Sequence, residues 1–99
     1  MLTFKSRQFD IASEPPNDLN PIFGHDLGEL LRQELASKGH VTDENVDSED
    51  WGWYFHVKFN THRYMIGTSA YVEADPITEK PIVTNEPIEF LIQFEKLKN

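Results

Sequence analysis

The feature that most constrains the fold is a strict two-residue alternation over residues 51–59. The large apolar or aromatic side chains are those of Trp51, Trp53, Phe55, Val57 and Phe59, and the positions between them hold Gly52, Tyr54, His56 and Lys58. This period is typical of a β-strand with one buried face, because successive side chains of a strand point to opposite sides. The pattern predicts a strand with both Trp residues in the core and with Tyr54 and His56 on the opposite face.

A second strand is predicted over residues 63–73, where every other side chain is apolar or β-branched. The short polar stretch Asn60-Thr61-His62 separates it from the first strand, which favours a β-hairpin. The faces that carry the large apolar side chains lie on the same side of the sheet only if odd positions of the first strand pair with even positions of the second. We therefore expect a hairpin loop of two or four residues.

One amphipathic helix is predicted over residues 26–38, with its apolar stripe at Leu27, Leu30, Leu31 and Leu35. Asp26 and Glu29 have the spacing of a capping box, so Asp26 is expected to cap the first turn. Gly39 stands where a left-handed residue commonly ends a helix.

The remaining segments are less regular. Residues 87–97 alternate apolar and polar side chains and predict a strand, despite several good helix formers. In residues 2–11, Leu2 and Phe4 share one face while Phe9 and Ile11 share the other, which indicates a bulge. A short edge strand is predicted at residues 82–84. The proline-rich loop 13–24 is expected to be pinned to the core by three apolar side chains, those of Leu19, Ile22 and Phe23.

The predicted order is thus β-α-β-β-β, an α+β fold with a four- to five-stranded antiparallel sheet and one main helix packed on one face. A chain of 99 residues with 12 aromatic side chains has the size and apolar content for one domain, spanning residues 1–99, with one core. It contains no cysteine, so disulfides and thiolate chemistry are excluded.

The charge balance excludes several kinds of partner. Nine basic residues face seventeen acidic ones, for a formal net charge of −8. Nucleic-acid binding depends on clustered Lys and Arg, and anionic membranes repel an acidic surface, so neither is an expected partner. A basic protein is the complementary one. The first ten residues do not resemble a secretory signal, and the cytoplasm is the expected location.

An acidic run over residues 43–50 is the densest chemical feature, with acids at Asp43, Glu44, Asp47, Glu49 and Asp50. A calcium-binding EF-hand loop starting at Asp43 would need Gly at position 48 and a carboxylate at position 54, which hold Ser and Tyr. No metal or cofactor is therefore predicted. We interpret the five acids, with Tyr54 and His56 on the adjacent strand, as a surface that binds a basic protein. The alternative interpretation is a solvated acidic loop.

An enzyme is not predicted. His56, Lys58 and His62 lie around the hairpin and could serve a weak hydrolase, but no neighbouring residue is placed by the sequence to orient the imidazoles. The four histidines have no zinc-ligand spacing. A small acidic regulatory or dimerisation module is the other alternative to a partner-binding protein.

Three segments together give the chain a resemblance to small acidic bacterial immunity proteins of contact-dependent growth-inhibition systems. They are Glu49-Asp50-Trp51-Gly52-Trp53, the loop stretch 14–21 (EPPNDLNP) and Leu30-Leu31-Arg32 in the predicted helix. The resemblance implies a cytoplasmic protein that binds and neutralises a toxin domain delivered by a neighbouring cell. Toxins of this kind are often basic nucleases, whose active site the inhibitor blocks.

Overall fold

An antiparallel sheet of six strands and one helix make up the described part of the chain, which in this computed structural model comprises residues 2–9, 14, 23–70, 76–77 and 87–97. The elements in chain order are β1 (Leu2–Ser6), α1 (His25–Ser37), β2 (Val41–Thr42), β3 (Asp47–Glu49), β4 (Gly52–Phe59), β5 (His62–Ala70) and β6 (Ile88–Lys96). The α+β class and the antiparallel sheet are confirmed.

The strands are arranged in the order β1-β6-β5-β4-β2, and β3 also pairs with β4. The β4–β5 hairpin has the expected loop of two residues, since Phe59 pairs with His62. Asn60 begins the turn with φ of 54°, a left-handed conformation that Asn tolerates well. Odd positions of β4 pair with even positions of β5, so the apolar faces of the two strands coincide as predicted.

The prediction of four to five strands was too low, because β2 and β3 are only two and three residues long. Strands of this length show no measurable alternation. The acidic run 43–50 is therefore not a plain loop, because Asp47–Glu49 pairs with β4.

At the start of the chain, β1 ends at Ser6, and Phe9 packs edge-on against Phe90 with ring centroids 5.1 Å apart. The prediction that the first strand continues through Phe9 was therefore wrong. Ile11, Leu19, Ile22 and the edge strand predicted at 82–84 lie outside the described residues. Phe23 does pack against the core, as expected for the loop 13–24.

The helix begins at His25 rather than Asp26, and the predicted capping box was wrong. The Glu14 carboxylate, from before the helix, accepts hydrogen bonds from the backbone N–H groups of Gly24, His25 and Asp26 at 2.9, 3.0 and 3.3 Å. It satisfies donors that the helix itself leaves unpaired. At the other end, Gly39 has φ of 91°, which confirms the left-handed residue after the helix.

The core lies between α1 and one face of the sheet. Its centre is formed by Phe55 and Phe90, which are fully buried, and the other buried apolar residues are Leu27, Val46, Trp53, Val57, Ile66, Ala70 and Ile92. The start of the helix is fixed to β5 by the buried Thr68 hydroxyl, which donates to the Gly24 carbonyl at 2.8 Å. A β-carbon on Gly28 would lie only 3.0 Å from the Thr68 hydroxyl oxygen, so helix and sheet approach closely here.

Candidate functional site

The face of the sheet opposite the helix carries Tyr54 and His56, as the alternation predicted, because Trp53, Phe55 and Val57 are buried on the other side. In the β3–β4 pair, Asp47 lies opposite Tyr54, and Glu49 lies opposite Gly52. Directly opposed residues of an antiparallel pair share a face. The register of β3 therefore brings two carboxylates of the acidic run onto the face of Tyr54.

Asp43 joins this face through His56. Its carboxylate oxygen Oδ2 lies 2.8 Å from the His56 Nδ1 atom and accepts a second hydrogen bond, also 2.8 Å long, from the His56 backbone N–H. In return the Asp43 backbone N–H donates to the His56 carbonyl at 3.1 Å. Three contacts thus fix Asp43 against β4, two of them through its carboxylate.

Trp51 was predicted to share the core face of Trp53, and this prediction was wrong. Because Glu49 pairs with Gly52, Asp50 and Trp51 form the two-residue turn between β3 and β4. Gly52 has φ of 155°, a conformation that side-chain-bearing residues rarely adopt, and it breaks the alternation at this point. The Trp51 ring lies on the outer face instead, 6.4 Å from the Tyr54 ring and half-buried.

We call the resulting surface the aromatic–acidic patch, formed by Asp43, Asp47, Glu49, Trp51, Tyr54 and His56. The rings of Tyr54 and His56 meet edge to face at 5.5 Å, so the aromatic groups form one continuous strip. Burial raises the pKa of the Tyr54 hydroxyl above its ordinary value of 10.0, and the negative charges of Asp47, Glu49 and Asp43 raise it further. All three carboxylates thus disfavour the ionised form of Tyr54.

The helix holds the acidic run in position behind the patch. The Glu29 carboxylate accepts a hydrogen bond from the Val46 backbone N–H at 3.1 Å and pairs with Arg32 at 3.0 Å. Arg32 reaches on to the Asp43 carbonyl at 3.4 Å. The hydrogen bond from Arg32, helped by the one from Val46, lowers the pKa of the Glu29 carboxyl despite partial burial. Glu29 therefore stays ionised and anchors the segment that leads into β3.

Of the seven residues predicted to bind a partner, the structure brings five together. Glu44 is exposed in the connection between β2 and β3, and Asp50 is exposed in the β3–β4 turn. Each is the chain neighbour of a patch residue. Trp51 was not among the residues predicted to bind a partner. Gly67 on β5 could have indicated it, because a glycine inside a strand often marks a place where another group packs closely against the backbone.

The arrangement of the histidines bears on hydrolytic chemistry. His56 lies on the outer face beside Tyr54, whereas His62 is paired with Phe59 and so belongs to the helix side of the sheet. The two imidazoles therefore cannot act on one bond. Among the described residues, no three His, Asp or Glu side chains come together as a possible metal site. In the same part of the chain, no helix has the length and apolar content needed to cross a membrane.

Comparison of the chain with protein-family models, with curated proteins and with solved structures finds no match.

Proposed function

We propose that this protein is an immunity protein that binds a basic, nuclease-type toxin domain and blocks its active site. The observation that carries the proposal is the convergence of Asp43, Asp47 and Glu49 around partly exposed aromatic rings on one face of the sheet. Carboxylates attract a basic surface and exclude an anionic substrate from it, and aromatic side chains supply buried contact area. A protein in this role works in the cytoplasm of the cell that produces the toxin.

The support is geometric as well as electrostatic. The patch is built on paired strands and braced by the helix through Glu29 and Arg32, so little ordering is needed when a partner binds. Its charges lie beside the Trp51 and Tyr54 rings, where an arginine of the partner can pair with a carboxylate and stack on an aromatic face.

The test is a kinetic comparison of charge variants on a toxin captured with the wild-type protein. Association should approach about 10⁸ M⁻¹s⁻¹ at low salt and slow steeply as salt screens the charges. The double variant Asp47→Lys/Glu49→Lys should associate at least about tenfold more slowly and should no longer protect nucleic acid from the toxin.

The matched control is Glu89→Lys/Glu95→Lys, which makes the same change in net charge at two exposed positions on β6 outside the patch. It should retain most of the association rate and all of the protection. Equal losses in both variants would mean that only net charge matters. Wild-type behaviour of the Asp47/Glu49 variant would remove the patch from the interface. Failure of the wild-type protein to capture any toxin would leave a regulatory or dimerisation module as the better description.

A further inference from the structure

The side of the protein away from the patch has an apolar groove, with a volume of about 320 Å³, between the second half of α1 and the ends of β1 and β6. Leu31 and Leu35 of the helix form one wall, and Leu2 and Phe94 form the other. The Leu2 and Phe94 side chains are 53% and 60% exposed, although the groove that they line extends to the core residues Ile66 and Ile92. Adjacent exposed apolar side chains of this size are typical of an interaction surface.

The polar rim of the groove consists of two exposed residues, Glu34 and Lys38, one helical turn apart. In a chain of net charge −8, this rim is locally neutral, so it does not repel another copy of the protein as the patch does. One anion and one cation on a helix are also self-complementary about a two-fold axis. When two such helices lie antiparallel, each Glu34 faces the Lys38 of the other copy.

We propose that the groove is a homodimer interface, in which two copies bury Leu2 and Phe94 and exchange two Glu34–Lys38 ion pairs. Closed two-fold dimers use the same surface on both subunits, and the rim charges satisfy that condition. The interface leaves both aromatic–acidic patches exposed at the outside of the dimer. It is independent of the proposed toxin-binding function and can fail or hold without it.

The experiment uses sedimentation velocity on the full chain across the micromolar concentration range. The wild-type protein should dimerise, whereas Glu34→Lys and Lys38→Glu should each weaken dimerisation by at least about fivefold, because each places like charges opposite one another. An equimolar mixture of these two variants should form a heterodimer, since one then carries only positive and the other only negative charge at the rim.

Phe94→Asp should also give a monomer, while Val41→Asp serves as the matched control, because Val41 is 69% exposed on the opposite edge of the sheet. Circular dichroism checks that each variant is folded. A wild-type protein that stays monomeric overturns the proposal. So does a dimer that survives both single charge reversals, or a mixture of the two variants that associates no better than each alone.

Discussion

The indole ring of Trp51 lies against Gly67, and two of its carbon atoms come within 2.5 Å of the position that a β-carbon on Gly67 would occupy. β5 is regular at Gly67 and pairs with both neighbouring strands, so no bulge explains the glycine. Gly67 is needed instead because the Trp51 side chain packs against its backbone. The contact fixes an aromatic ring on the outer face without any connection to the core.

Replacement of Gly67 by Ala is expected to displace the Trp51 ring and to leave the fold intact. The methyl group cannot share the space of the indole, but the indole is half-buried and can move outward. We expect a change in tryptophan fluorescence and weaker partner binding, with a loss of unfolding free energy of no more than about 1–2 kcal/mol. Fluorescence identical in spectrum to the wild type would show that the ring does not occupy this position.

The two tryptophans should respond very differently to truncation. Trp53 is 5% exposed in the core, so Trp53→Ala should lower the free energy of unfolding by about 3–5 kcal/mol through the cavity it leaves. Trp51→Ala removes a surface ring and should cost far less while reducing partner binding. Urea denaturation of both variants provides the comparison, and similar losses would contradict the placement of Trp51.

Much of the sheet is predictable from alternation, because a period of two is a local property of a strand. It predicts β4, β5 and β6, and it predicts Tyr54 and His56 on the outer face. The same pattern misplaces Trp51, since the alternation continues through it while the chain turns at Gly52. The alignment of Asp47 and Glu49 with Tyr54 depends on the register of β3, which is too short to show a period.

Another feature beyond sequence reasoning is the cap of the helix. Glu14 reaches Gly24 across ten residues, and no local pattern signals a contact that depends on the path of the intervening chain. Asp26 has the better local spacing, yet its carboxylate lies 2.9 Å from the His25 Nδ1 atom instead of capping the helix. Local spacing identifies candidates for a cap, and the tertiary structure selects among them.

The Glu14 cap should give the stability a defined pH dependence. Burial raises the pKa of this carboxyl above 4.5 in the folded protein, although three backbone N–H groups partly oppose the effect. At pH values between the pKa of the unfolded chain and that of the folded protein, Glu14 is protonated in the folded protein and ionised in the unfolded chain. Relative to Glu14→Gln, the wild type should be most stable below pH 4.5 and should lose that advantage as the pH rises through the folded pKa.

Thermal melts of the two proteins at a series of pH values measure this difference. Glu14→Ala, which removes the acceptor altogether, should lower the free energy of unfolding by about 1 kcal/mol at neutral pH. A difference between the wild type and Glu14→Gln that grows with rising pH would show that the three hydrogen bonds outweigh burial.

Tyr54 should ionise at higher pH than an isolated tyrosine, whose pKa is 10.0. Burial and the three neighbouring carboxylates all favour the neutral phenol, and the folded protein should therefore lose stability as the pH rises past 10.0. The titration can be followed by the near-ultraviolet absorbance of tyrosinate. In a variant with Tyr64 and Tyr71 changed to Phe, this signal comes from Tyr54 alone. Asp47→Asn/Glu49→Gln should lower the pKa of Tyr54, and an unchanged titration would place those carboxylates away from the ring.

The position of β3 at an edge of the sheet also affects solubility. In the described part of the chain, β2 and β3 form one edge, and β3 offers Asp47 and Glu49 to any strand that approaches. Exposed edges invite pairing between molecules, and charged side chains on them prevent it. At neutral pH this edge therefore repels other copies of the protein. The carboxylates that we propose for toxin recognition thus also protect the protein from aggregation through its own sheet.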